Sequence, residues 1–188
     1  LKQLFRNSRI ILLVDGLYAC GPVIKICKEN HWGYMIVLKE DSLKTVWQEA
    51  LGLMRIALEN SLKVRWGDRD QTYRWANDIE YEYKEGDNKR LLNLHVVICY
   101  ETWQGKHIHS TGEVEQKETR YAWISSKPLS KTNVFERCTR VGRFRWKIEN
   151  NILTEKHQGY NYEQCYSYTW NAMEGYHYLM KIGRLLNV

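Results

Sequence analysis

Arg145, Glu149 and Lys156 stand four and then seven positions apart in the run GRFRWKIENNILTEKHQGYNYEQ. On an α-helix, at about 100° per residue, their side chains fall within about 40° of one another. One carboxylate is then flanked along a single stripe by two cations. That arrangement suits phosphoryl transfer on a phosphate chain. A carboxylate can hold a divalent metal at the scissile phosphate while the cations hold the flanking ones. The plainer chemistry is an i, i+4 surface ion pair between Arg145 and Glu149, worth a few tenths of a kcal/mol.

A second carboxylate stands where sheets often place chemistry. Arg9 to Val14 reads RIILLV, and Asp15 follows at once. The near-continuous aliphatic run predicts a buried strand of a parallel sheet. An Asp at the C-terminal end of such a strand projects into the crevice where these sheets bind ligands. The alternative for Asp15-Gly16 is a turn or a helix cap.

Together the two stretches resemble bacterial insertion-sequence transposases of the DDE type (insertion-sequence-4-like). Their signature is Tyr, two residues, Arg, three residues, Glu, six residues, Lys. Here Arg145, Glu149 and Lys156 occupy three of those places, with Trp146 and Ile148 inside a similar RWKIE run. Gly142 stands at the Tyr position, and Phe144 is the nearest aromatic residue. His157 to Gln164, HQGYNYEQ, resembles the family's following segment, with Gln164 where His is common. The strand ending at Asp15, the helix after it and the aromatic-rich strand beyond resemble the segment around the family's second catalytic Asp.

The resemblance implies an α/β fold, an RNase H-like (retroviral-integrase-like) catalytic core, incomplete at the N-terminus and carrying an antiparallel β insertion. It implies metal-dependent DNA strand cleavage and strand transfer at insertion-sequence ends. Asp15 and Glu149 would be catalytic and two of three metal ligands. Two Mg²⁺ ions are the expected cofactors, with Mn²⁺ able to substitute. Arg145 and Lys156 would grip transposon-end phosphates. The implied partners are DNA, both element ends and target, and a second copy in the active homodimer. The implied compartment is the bacterial cytoplasm, at the nucleoid, with no membrane association. None of the fourteen residues before Asp15 is acidic, so the family's first catalytic Asp is missing from this chain. It reads as the C-terminal portion of a longer transposase that neither cuts nor joins DNA alone. The alternative is a non-catalytic DNA-binding remnant of a decayed transposase. A related nuclease that cuts without joining is a third possibility.

Composition agrees with a nucleic-acid partner. The chain has 188 residues, 44% hydrophobic, with a formal net charge of +6. Basic excess favours nucleic acid or an acidic surface. Arg137, Arg140, Arg143, Arg145 and Lys147 put five cations into eleven residues around the signature, a candidate phosphate track. A solvated basic face would read the same way. Eight Trp and thirteen Tyr against three Phe suit half-buried surfaces, strand packing and base stacking. Five cysteines without short paired spacing argue against a zinc site or a disulfide framework. His107 and His109 alternate, as on one strand face. The longest aliphatic run, Ile10 to Val14, is far below a membrane-spanning length.

The elements that must position these residues follow from periodicity. The segment 1–63 reads as core carrying Asp15: strand Ile10 to Val14, a helix from Gly21-Pro22 to about Asn30, strand Tyr34 to Leu38. An N-cap at Asp41 or Ser42 should start a helix from Leu43 to Leu62, with Val46, Trp47, Leu51, Met54 and Leu58 facing the core. The segment 64–126 reads as a β-rich insertion and return strand. Ile79, Tyr81 and Tyr83 alternate with charges, Gly86 to Asn88 forms a turn, and Arg90 to Tyr100 and Tyr121 to Ile124 are strands. The segment 127–188 reads as C-terminal helices carrying Glu149. Ser130 to Thr132 caps a helical region that includes Arg143 to Glu155, and Met173 to Leu186 is the last helix.

Overall fold

The structure is a computed structural model that describes residues 8–106, 114–157 and 165–186. The described residues make a mixed α/β chain in two compact units, 1–145 and 146–188.

The first unit is built on a six-stranded mixed sheet. In chain order its strands are β1 (Ile11–Val14), β2 (Gly33–Val37), β3 (Ser61–Trp66), β4 (Arg69–Glu85), β5 (Asn88–Lys106) and β6 (Val114–Ser125). Their spatial order is β1-β2-β6-β5-β4-β3. β1 and β2 run parallel, and helix α1 (Gly21–Glu29) connects them. Every other pairing is antiparallel. The β-rich segment therefore continues the β1–β2 sheet through β6, whose Ile124 pairs with Ile36.

Both faces of the sheet are covered. Helices α1 and α2 (Lys44–Ile56) cover one, where Ile24, Val46, Ala50 and Met54 pack with Ile36, Ile79, Val96, Ile98 and Ile124. On the other, Leu129, Val134 and Cys138 pack with Met35, Tyr73, Trp75, Val97, Cys99 and Trp123. That second cover is a broken helical stretch: α3 (Val134–Glu136), a π-turn over Arg137–Val141 and a 3-10 turn over Gly142–Phe144.

Local chemistry explains several joints. The β3–β4 and β4–β5 hairpins each turn on a Gly-Asp pair, with Gly67 and Gly86 both at φ 61°, a positive value that tight hairpin turns need at this place. Pairing slips between Ala76 and Ile79, where Asp78 takes φ 58°. That bulge aims Asn77 at the second cover. Its Nδ2 donates to the Leu129 carbonyl at 2.9 Å, and its Oδ1 accepts from the Leu129 N–H at 2.8 Å.

Three expectations are corrected here. β1 is half-buried rather than fully buried, with Ile11 51% exposed, because it is the edge strand of the described sheet. Helix α2 stops at Ile56, not Leu62. The next apolar–polar alternation, Ser61 to Trp66, is taken by pairing with β4, and Leu58 is 70% exposed. The start of α2 is not capped by Asp41 or Ser42. Leu43 takes the N-cap place in a left-handed conformation, φ 46°, with no side-chain cap bond.

The second unit contains α4 (Arg145–His157), from Trp146 onward, and α5 (Trp170–Leu186). Within it, Arg184 Nη1 donates to the Asn151 carbonyl at 3.1 Å, and the rings of Tyr166 and Tyr176 stack at 4.7 Å. No helix among the described residues is long and apolar enough to cross a membrane.

Candidate functional site

Asp15 directly follows the last residue of β1. Its Oδ1 accepts a hydrogen bond from the Gly16 N–H at 2.7 Å, and its carbonyl accepts from the Tyr18 N–H at 2.9 Å. So Asp15 caps the short 3-10 turn Gly16–Tyr18. Its Oδ2 lies 4.0 Å from Lys39 Nζ, and the side chain is 34% exposed. The cap and the ligand roles are compatible, because the cap uses one oxygen and leaves the other toward solvent and Lys39. Sequence reasoning missed Lys39. Its signal was available: it lies just beyond the end of β2, the strand parallel to β1, and so at the same sheet end as Asp15.

The signature residues lie on α4, which runs unbroken from Arg145 to His157. At about 100° per residue, Arg145, Glu149 and Lys156 therefore keep within about 40° of one another. The apolar residues of α4 do not form one stripe. Trp146 and Leu153 point one way, Ile148 and Ile152 lie about 100–160° around the helix from them, and all four are 43–55% exposed. Of the HQGYNYEQ segment only His157 is described; residues 158–164 lie outside the described residues, as do His107 and His109.

The basic cluster divides by environment. Arg140 is exposed and pairs with Glu136 at 3.3 Å, one helical turn away. Lys147 is exposed. Arg137 turns inward: its Nε donates to Ser125 Oγ at 3.0 Å and its Nη2 to Ser126 Oγ at 3.3 Å. Burial pulls the Arg137 guanidinium below its ordinary pKa. Arg143 also turns inward, onto the fully buried Glu101. Glu101 too was missed. The sequence run HVVICYE is apolar on both strand faces, so alternation does not reveal which way Glu101 points.

All five cysteines are unpaired, and Cys27, Cys99 and Cys138 are buried. Burial pushes the Cys99 thiol up to about 11. These are packing residues rather than nucleophiles. Among the described residues, no group of three or more His, Cys, Asp or Glu side chains is placed to hold a metal ion. Asp15 and Glu149 do not by themselves make a complete two-metal site, which takes further carboxylate oxygens.

No family model, no curated protein and no solved structure matches this chain.

Proposed function

We propose that this chain is the catalytic-domain part of a DDE transposase with an RNase H-like core, acting on DNA at insertion-sequence ends by strand cleavage and strand transfer. One observation carries the reading: α4 is a single helix from Arg145 to His157, so the Arg–Glu–Lys spacing becomes one stripe of alternating charge. An Asp just past a parallel strand, at the sheet end shared with Lys39, supports it further.

In this reading Arg145 and Lys156, about 16 Å apart along α4, hold phosphates on either side of the one attacked, while exposed Lys147 lies on the opposite side of the helix from their stripe. Glu149 stands between them and faces the phosphate to be attacked. Asp15 is held in one orientation by its Gly16 cap. Lys39, whose Nζ lies 4.0 Å from Asp15 Oδ2, can touch a phosphate itself. Mg²⁺ is the cofactor of this reading and would supply the Lewis acid; Asp15 and Glu149 are the carboxylates the reading assigns to metal binding. Partners are DNA and a second copy of the chain.

The test is duplex DNA binding by the 188-residue chain across a salt series. Affinity should fall as salt rises through counterion release, and Arg145→Ala should flatten the log–log slope by about one unit. Lys84, exposed on β4, is the control, and Lys84→Ala should barely matter. Equal losses from the two variants would leave only bulk charge and sink the reading.

A further inference from the structure

Among the described residues, Glu101 on β5 is a carboxylate of the sheet with no exposure at all. It shares strand parity with Val97 and Cys99, so it lies on the face covered by residues 129–141. A carboxylate taken out of water must be met by donors. Glu101 Oε2 accepts from Arg69 Nη1 at 2.9 Å. Its Oε1 accepts from Gln71 Nε2 and from Arg143 Nη2.

The network reaches across the sheet into its cover. Gln71 is 1% exposed, and its Oε1 accepts from the Tyr73 hydroxyl at 2.6 Å. That hydroxyl lies 3.2 Å from Thr139 Oγ1 on the π-turn. Aromatic faces fix the two guanidiniums. Arg69 lies over Trp103 at 4.5 Å. Arg143 lies over Trp66 at 5.0 Å and over Tyr121 at 4.7 Å. The Arg143 side chain is only 18% exposed.

Arg143 stands two residues before α4 begins. A buried ion pair is a poor way to add stability, since an apolar replacement of like shape often does as well. Its better-attested use is to select one arrangement of the groups it joins. From this we infer that Glu101 is a positioning residue: it clamps Arg143 to the sheet and so fixes the backbone from which α4 starts. Arg143 is then part of that clamp and not a phosphate contact. The functional half rests on the DNA reading above; the structural half does not.

Simple electrostatics and the clamp predict opposite signs for one variant. Glu101→Gln removes a negative charge, so by charge alone DNA binding should tighten. The clamp predicts weaker binding, by several-fold at fixed salt, with an unchanged salt slope because no phosphate contact is lost. Arg143→Ala and Arg143→Lys should do the same, since lysine keeps the charge but loses the planar fork and the ring stacking. Amide exchange over residues 143–149 should quicken about tenfold or more in all three, while Val96 to Cys99 keep their protection. The double variant Glu101→Gln/Arg143→Ala should be no worse than Arg143→Ala.

A slope flattened by about one unit in Arg143→Ala but kept in Arg143→Lys would make Arg143 a phosphate contact and overturn the inference. Unchanged exchange over 143–149 would overturn it too. If the chain does not bind DNA, the proposed function fails, and the exchange measurement alone decides the clamp. If Glu101→Gln does not fold, the milder Arg143→Lys carries the same test.

Discussion

Gly142 lies against the indole of Trp123: a Cβ at residue 142 would come within 3.0 Å of Trp123 Nε1 and 3.1 Å of Cε2. Trp123 is 1% exposed and packed on the covered sheet face, so it has little room to give. The backbone at Gly142 is ordinary right-handed helix, φ −56° and ψ −40°. Contact, rather than conformation, excludes a side chain. The transposase signature that the sequence resembles has Tyr at this place.

The contact predicts a sign. In a helical backbone Gly→Ala alone should stabilise by up to about 1 kcal/mol. Here Gly142→Ala should destabilise by about 1–2 kcal/mol, the cost of overpacking exceeding that gain. Gly142→Tyr should cost more. Urea denaturation followed by circular dichroism measures both, and a more stable Gly142→Ala would show that Trp123 yields.

His95 predicts a pH dependence. Its side chain is 12% exposed. Burial lowers its pKa from 6.5, nearby Asp78 partly opposes the shift, and Lys28 and Arg137 add to it. The folded state therefore binds the proton less readily than the unfolded chain. Stability from this group is complete above the unfolded value of about 6.5, and falls as pH drops toward the lower folded value. Replacement by a group that does not titrate, His95→Gln, should flatten the stability–pH curve just below about pH 6.5. Chemical denaturation at several pH values reads this directly, and an unaltered slope would mean that another group titrates there.

Much of the frame was legible in local pattern. The parallel pair β1 and β2, helix α1 behind its Pro22, the Gly86 hairpin and the final helix follow from periodicity and turn chemistry. The end of α2 did not. Apolar residues continue past Ile56 in a spacing that fits a helix, and only the partner strand β4 claims Ser61 to Trp66. The site was legible in the same uneven way. The Arg145–Glu149–Lys156 stripe needs only one helix, and spacing predicts it. The inward turn of Arg137 and Arg143 needs Ser125 and Glu101, which are distant in sequence. Charge pattern cannot tell a cation facing solvent from one facing a buried carboxylate.

Glu149 and Lys156 provide the sharpest test of what the stripe does. Lys156 lies in the last turn of α4, where a cation also favours the helix dipole by about 0.3–1 kcal/mol. Loss of affinity in Lys156→Ala could thus reflect a frayed helix, so slope must be read beside affinity. As a phosphate contact, Lys156→Ala should flatten the log–log salt slope by about one unit, and Lys156→Arg should restore it. Glu149→Ala should leave metal-free binding unchanged or tighten it, because a carboxylate beside phosphates repels them. A purely structural stripe predicts the reverse for Glu149: losing its partner loosens Arg145, and binding weakens. Fluorescence anisotropy with a labelled duplex, run across salt without divalent metal, separates the two outcomes. Weaker binding in Glu149→Ala together with an unchanged slope in Lys156→Ala would assign the stripe to helix stability and remove it as the DNA contact.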